Sequence, residues 1–431
     1  MQTVVLSEVQ TALCVVFLLV APLALAGVAL MCAGLGRSRN AAHAMLAALC
    51  VIAVATCMYF LCGAALQGYG DDGGRAISFS GKHWSWAGKG RLLMMGLPVD
   101  GSPAFLAAWL GVLSSALAGL IPLGSGADRW RLPAICASTA LLSGLTYPLF
   151  AHWSWGVGWL AQLGTNYGLG RGYLDAGGAG PIHVVGGLTA LALTWLLGAR
   201  RGKYTSDGMP MAIPGHNAVF VIFGALLALV GWLGLNGAGA LLFAGVDPSR
   251  IPLIAVNTVL CAAGAALSAA ITTRVRYSKP DASLSANGWT GGLAASSACC
   301  AFIAPAAALI VGFVAGALVA VSVEMLDLKL DVDDPGGSVS VHALGGLWGI
   351  LAVGLFGRLE AAGAGQLLAQ TVGIATLLGF ALPATWVLNW LLNRVVPYRV
   401  SAEGENQGMD LYELGAGAYP EFVTHTDEFM R

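Results

Sequence analysis

The sequence predicts an all-α membrane protein with eleven transmembrane helices. Three observations support this fold class: 57% of the 431 residues are hydrophobic, only 10% are charged, and the mean hydropathy is +0.76. Soluble domains carry about 25% charged residues, so the composition excludes an ordinary soluble protein. The 60 glycines are about twice the usual share, which suits close packing between transmembrane helices.

Apolar runs of roughly 17–25 residues are long enough to cross the hydrocarbon core of a bilayer. Only Pro305 and small residues separate the eighth predicted span from the ninth. The predicted spans lie near residues 8–34, 42–67, 103–123, 132–152, 180–199, 216–243, 251–273, 285–303, 304–327, 337–358 and 366–393. An odd number of spans places the two termini on opposite sides of the membrane.

The distribution of basic residues indicates which side is inside. With an outside N-terminus, 14 of the 21 Lys and Arg residues fall in the inner loops and the tail, and seven fall in the outer loops. Because inner loops of membrane proteins are enriched in Lys and Arg, this bias predicts an N-out, C-in orientation.

Charge and cysteine usage exclude several function classes. The net charge of −1 provides no basic surface for nucleic acid. The nine cysteines lie in or beside apolar runs and form no Cys-x-x-Cys pair, so we expect neither a disulfide framework nor a zinc site. The sequence has no nucleophile-base set and no cofactor motif, so we expect no enzymatic activity and no cofactor.

One pattern of Asp, Gly and His occurs twice, as "DAGGAGPIHVVGG" at 175–187 and "DPGGSVSVHALGG" at 334–346. In each copy a His follows the Asp by eight residues, which places His183 and His342 in equivalent positions. The first copy enters the fifth predicted span and the second enters the tenth. Equivalent helices therefore cross the membrane in opposite directions.

This arrangement is typical of an inverted-topology repeat, whose functional site usually lies at the membrane midplane between the two halves. We therefore expect the two histidines to face each other. The predicted organisation is a membrane domain at 1–397 with inverted repeats at about 8–199 and 216–358 and a last helix at about 366–393, followed by a cytoplasmic tail at 398–431.

The histidine pair admits three interpretations. Each His could be a polar contact between helices. Metal binding lacks a third ligand, because no carboxylate or Cys lies within a turn of either His. Two imidazoles in contact can also share a proton, while burial disfavours their charged form. Such a pair suits a small polar solute that exists as both a cation and its neutral base.

Several motifs in the same order resemble the ammonium transporter family (Amt/Mep/Rh), over about residues 11–420. Besides the two His motifs, "AHWSWGVGWLAQLG" at 151–164, the sixth predicted span at 215–239 and the tail at 399–419 are similar to family motifs. The resemblance implies an eleven-helix bundle, a homotrimer with one pore per subunit in the plasma (inner) membrane, ammonium or ammonia as solute with methylammonium as an analogue, and a PII-type signalling protein as a partner at the cytoplasmic face.

The resemblance also implies roles for single residues. The implied ammonium recruitment residues are Trp109, Trp155, Asp175 and Gly239; the pore gate is Leu113, Leu235 and Trp232; the proton relay is His183 and His342; and the structural cap is Asp334. The family's bacterial members usually have two stacked Phe where this chain has the two Leu, and a Ser where it has the Gly. For the two recruitment tryptophans, an interfacial aromatic belt is the alternative.

The favoured function is an ammonium transporter that deprotonates its solute. The alternatives are an ammonium sensor with a closed pore and an Rh-type channel for neutral ammonia. The resemblance implies that the tail docks on neighbouring subunits. We expect His43, His83 and His425 to be solvated.

Overall fold

The computed structural model describes residues 6–69, 74–155, 158–359 and 363–419, and long helices dominate it. The helical segments are α1 (Glu8–Leu35), α2 (Ser38–Gln67), α3 (Pro103–Gly126), α4 (Leu132–Trp155), α5 (Ala179–Leu197), α6 (Ala218–Phe243), α7 (Pro248–Tyr277), α8 (Ala282–Cys299), α9 (Pro305–Leu330), α10 (Val339–Phe356) and α11 (Gly363–Val395). Ten of these segments in the described residues are long and apolar enough to cross a membrane. The protein is therefore a multi-pass membrane protein.

The exception is α8, which spans 18 residues but falls short in hydropathy. Its sequence includes Asn287, Thr290, Ser296 and Ser297, and all four side chains are buried within the protein. A helix that is surrounded by other helices needs no lipid-facing apolar surface, so polar residues are tolerated along it. Eleven crossings and the N-out orientation stay predictions.

Two of the helices begin with a π-helical stretch. These stretches are Ala179–Val184 at the start of α5 and Val339–Leu344 at the start of α10, and each contains one of the two motif histidines. Single π turns inside α-helices occur frequently at functional sites. The shared local structure matches the shared sequence pattern, while the division into inverted repeats stays a prediction.

Close helix packing depends on glycine at the crossing of α1 and α6. A Cβ atom added to Gly27 would lie 2.5 Å from the carbonyl oxygen of Gly224, and the reciprocal distance is also 2.5 Å. Small residues at such a crossing allow two backbones to approach, which is the common basis of helix association in membranes.

A hairpin separates α2 from α3. It consists of β1 (Arg75–Phe79) and β2 (Lys82–Ala87), which pair antiparallel. The backbone N–H of Ser85 donates to Oε1 of Gln162 at 3.0 Å, so the hairpin is attached to the segment that follows α4.

Buried charges connect the loops at the opposite end of the bundle. Arg200 donates to both oxygens of Asp333 at 3.0 Å and to Asp128 at 3.1 Å, and Arg129 lies 3.8 Å from Asp333. We call these four residues the inner charge cluster, because the predicted N-out orientation places them on the inner side. Burial alone would raise the pKa of Asp333, but Arg129 and Arg200 outweigh it and hold that pKa below its ordinary value.

The tail contacts the same end of its own chain. Arg399 donates to the carbonyl oxygens of Leu197 and Ala199 at 2.7 Å and to Glu405 at 2.8 Å. Asp410 accepts from the backbone N–H of His43 at 2.7 Å. Docking on neighbouring subunits stays a prediction.

The expectation that His43 is solvated is wrong. Its side chain is buried in α2, and Nε2 lies 2.9 Å from Oε2 of Glu413 in the tail. A partner 370 residues away in the sequence covers it, which no local pattern reveals. His83 is exposed on β2, as expected, and His425 lies outside the described residues.

Removing one charge from the inner charge cluster should destabilise the protein strongly. We expect Asp333→Asn to lower the free energy of unfolding by about 3–5 kcal/mol, because it leaves buried arginine charge uncompensated. The matched control is Glu324→Gln, which breaks a more exposed pair with Arg276 and should cost about 0–1 kcal/mol. Thermal unfolding in detergent measures both, and equal losses would contradict the assignment.

Candidate functional site

Asp175 organises the entry to α5. Its Oδ1 accepts from the backbone N–H groups of Gly178 and Ala179 at 2.8 Å, and its Oδ2 accepts from Gly180 at 2.7 Å. Gly178 has a φ of +95°, a conformation that favours glycine. Burial raises the pKa of Asp175 to about 6, although the three N–H donors stabilise its ionised form. The side chain therefore fixes the first turn that leads to His183.

Asp334 repeats this arrangement before α10. Its Oδ2 accepts from the backbone N–H of Val339 at 2.8 Å, and its Oδ1 accepts from the N–H of Ser338 at 3.1 Å. The hydroxyl of Ser125 on α3 also donates to Oδ1 at 2.6 Å. Both motif histidines therefore follow a backbone turn that a carboxylate caps, and this carboxylate is buried at Asp175 and half-buried at Asp334.

The two motif histidines meet at the centre of the bundle. Their ring centroids are 5.4 Å apart with an interplanar angle of 26°. The indole of Trp232, on α6, stacks on His183 with a centroid separation of 5.0 Å and an angle of 7°. All three side chains are buried. We call Trp232, His183 and His342 the histidine stack.

The histidine stack offers hydrogen-bonding atoms to a solute. Ser297 Oγ on α8 lies 3.3 Å from Nε2 of His183. Among the described residues, Nδ1 of His183, Nδ1 of His342 and Nε1 of Trp232 are buried and have no hydrogen-bond partner. Buried polar atoms normally have a partner, and those without one often mark a functional role or a bound water. Three such atoms on one stack can bind a small polar solute.

A second stack of rings lies where α4 and α6 end. The rings of Trp155 and Phe243 are nearly parallel, at 8°, with centroids 4.5 Å apart. Tyr69, just after α2, also stacks on Phe243, with ring centroids 6.5 Å apart. The indole N–H of Trp155 donates to the carbonyl oxygen of Asp175 at 2.8 Å. We call Trp155, Phe243 and Tyr69 the entrance stack.

The other two predicted recruitment residues, Trp109 and Gly239, make different contacts. Trp109 is 43% exposed, and its ring packs edge-on against Phe105 at 6.0 Å. Gly239 faces the backbone that carries Asp175, where an added Cβ would overlap the carbonyl oxygen of Ala176. The structure therefore gives this glycine a packing role against the motif loop.

The two leucines at the predicted gate belong to one hydrophobic cluster. Leu235 is buried and Leu113 is half-buried, and Trp155 and Trp232 are members of the same cluster. Leu235 lies one turn from Trp232 along α6. The predicted gate is therefore apolar, with aliphatic side chains instead of aromatic ones.

Sequence reasoning missed three residues that contact the site. Phe243 and Tyr69 complete the entrance stack, and Ser297 approaches His183. Ser297 could have been identified from the sequence, because it is a polar residue within a predicted membrane span. The ring contacts of Phe243 and Tyr69 join different spans, so no local sequence pattern indicates them.

Ten apolar helices among the described residues, with two motif histidines buried in contact between them, define the class: multi-pass membrane proteins. The sequence model of the Ammonium Transporter Family matches residues 11–419. Over 417 residues the chain is 35% identical to the ammonium transporter Amt2 of Archaeoglobus fulgidus, covering 92% of this chain and 85% of that relative. It is 32% identical to ammonium transporter 1 member 2 of Arabidopsis thaliana, covering 90% and 79%. The chain belongs to the ammonium transporter family.

Solved structures have the same fold. A protein described as a sensor Amt protein superposes with a TM-score of 0.83 at 26% identity, covering 94% of this chain and 98% of its own. Mep2 of Candida albicans superposes with a TM-score of 0.78 at 22% identity, covering 97% and 92%. The curated relatives named above are transporters rather than enzymes.

Adding a methyl group at Gly239 tests its packing role. We expect Gly239→Ala to lower the free energy of unfolding by about 1–3 kcal/mol, because the new Cβ must displace the motif loop. The matched control is Gly379→Ala, where nothing lies within 4 Å of the added atom, and it should change stability by less than about 0.5 kcal/mol. Thermal unfolding checks both, and an unaffected Gly239→Ala protein would refute the assignment.

Proposed function

We propose that this protein transports ammonium by removing a proton at the entrance and conducting ammonia past the histidine stack, with net transfer of the proton. The observation that carries the proposal is the buried stack of Trp232, His183 and His342, whose three ring nitrogens have no partner among the described residues. These atoms can bind a small neutral base in a section that is otherwise apolar.

Energetics favour deprotonation over passage of the intact cation. Moving an isolated ammonium ion into a medium of low dielectric constant costs on the order of tens of kcal/mol. Attraction to an aromatic face contributes about 0.5–2 kcal/mol, which collects the cation at an entrance and does not offset its desolvation. Potassium has no proton to release, so the same step excludes it.

At the entrance we assign recruitment to the ring of Trp155. Phe243 covers one face of that indole, and the indole N–H is bonded to the backbone of Asp175. Asp175 then acts as a positioning residue, since its carboxylate is engaged by three backbone N–H groups. At the gate, the family's bacterial members usually have paired Phe, where this chain has Leu113 and Leu235.

A second candidate function is ammonium sensing with a pore that does not conduct. The structural similarity to a sensor Amt protein over 94% of this chain favours it, as do the closely stacked entrance rings. The Rh-type channel for neutral ammonia is a third. Trimeric assembly, a plasma (inner) membrane location and a PII-type partner belong to the proposal as family properties.

Truncating either histidine should abolish most of the charge movement. We expect His183→Ala and His342→Ala to lower ammonium-evoked current on a supported membrane by about tenfold or more, because proton transfer loses a positioned imidazole. The control is His83→Ala, at an exposed position on the hairpin. If current is absent from the unmodified protein while ammonia flux is robust, the neutral-gas channel replaces our proposal.

Transport and sensing differ in net uptake. Cells that lack their own ammonium transporters should accumulate methylammonium when they express this protein, because transport delivers solute and sensing requires only binding. Membrane expression is measured in the same cells. A well-expressed protein that gives no uptake would reject transport and favour the sensor.

A further inference from the structure

A cavity adjoins the histidine stack on the side of the inner charge cluster. It has a volume of about 20 Å³, and its lining includes His342, Asn287, Thr290, Ser338 and Cys32. We call it the vestibule cavity. Within the described residues, Nδ1 of His342 and Oδ1 of Asn287 are buried without a hydrogen-bond partner. A site of about 10–15 Å³ with several polar partners can hold one water molecule.

Cys32 also lines a second cavity. It has a volume of about 30 Å³, and its lining includes Cys32, Asn40, His43, Asp128 and Trp130. We call it the side cavity. The indole Nε1 of Trp130 is buried and has no partner in the described part of the chain. This cavity is therefore also large and polar enough for water, and Cys32 alone of the named residues lines both.

The side cavity ends at the tail. Nε2 of His43 lies 2.9 Å from Oε2 of Glu413, whose side chain is 12% exposed. Three charged groups lie near this pair: Asp410 accepts from the backbone N–H of His43, Arg131 lies 3.7 Å from Glu413, and Asp128 lines the same cavity. Burial opposes ionisation of Glu413, but hydrogen bonds from His43 and Leu132 hold its pKa below the usual range.

We propose that the proton released by ammonium leaves the histidine stack through this side route and reaches the inner surface by way of His43 and Glu413. At the entrance, an N–H bond of ammonium breaks, its electron pair stays on the ammonia that forms, and a proton is released. The proton passes from His342 along water in the two cavities to Nδ1 of His43. The ring then gives up the proton on Nε2 to Glu413, and Glu413 releases it to the inner solution.

The chemistry of the pair fits this role. Imidazole accepts a proton at one ring nitrogen and donates from the other, so it passes a proton without moving. A carboxylate with a lowered pKa binds the proton weakly and releases it near neutral pH. Ammonia itself continues through the vestibule cavity, and the two recombine inside. The route deepens the proposed function and depends on it, since it has no purpose unless a proton crosses.

The test compares His43→Gln with the unmodified protein in proteoliposomes that contain a pH indicator. Glutamine can hydrogen-bond Glu413 but cannot relay a proton. We expect ammonium-evoked current to fall by about tenfold or more. We also expect the lumen to become alkaline, because ammonia still enters without its proton. His216→Gln is the matched control, since that inner histidine contacts Gly36 and Tyr419 and is not among the residues lining either cavity.

A second variant, Ala44→Leu, fills the side cavity and keeps His43, so it tests the route even if His43→Gln fails to fold. It should also lower the current and leave ammonia entry intact. Unchanged current in folded Ala44→Leu and His43→Gln overturns the route while transport stands. Loss of current and ammonia entry together shows a structural role for His43 and also overturns it. Absence of current in the unmodified protein refutes the proposed function instead.

Discussion

The constraint on which this structure depends is the burial of two imidazoles in contact at the centre of a membrane bundle. Their centroids are 5.4 Å apart, and Trp232 stacks on one of them. Neutral imidazole tolerates such a place because it can both donate and accept a hydrogen bond, whereas an ammonium ion in the same section would lose its hydration without replacement. In the proposed mechanism, this difference separates the paths of the base and of its proton.

The rest of the bundle holds that contact in place from both ends. Asp175 and Asp334 cap the π-helical turns before His183 and His342, and Asp175 also links the first turn to Trp155 through its carbonyl oxygen. Asp333, which directly precedes Asp334 in the chain, belongs to the inner charge cluster. Its partner Arg200 follows Leu197 and Ala199, whose carbonyl oxygens accept hydrogen bonds from Arg399 of the tail. The entrance rings, the histidine stack and the tail are thus joined through short, buried connections.

The sequence predicted the features that arise from local pattern. Apolar runs located the helical segments, including the boundary at Pro305, and the repeated Asp-to-His spacing located both members of the histidine pair. Polar residues kept α8 below the hydropathy of a lipid-facing span, because protein surrounds it. The burial of His43 and the stacking of Tyr69 on Phe243 were missed, since each depends on a partner more than 150 residues away in the chain. The packing role of Gly239 required the position of a backbone carbonyl.

The central claim is that ammonium gives up a proton before the histidine stack, and a solvent isotope comparison tests it most directly. Ammonium-evoked current is recorded on a supported membrane in light water and in heavy water, with all exchangeable hydrogens equilibrated. The account predicts a fall in current beyond the difference in viscosity, because deuterons hop between bases more slowly than protons. A current that changes only with viscosity would contradict it, since an intact cation would then be crossing.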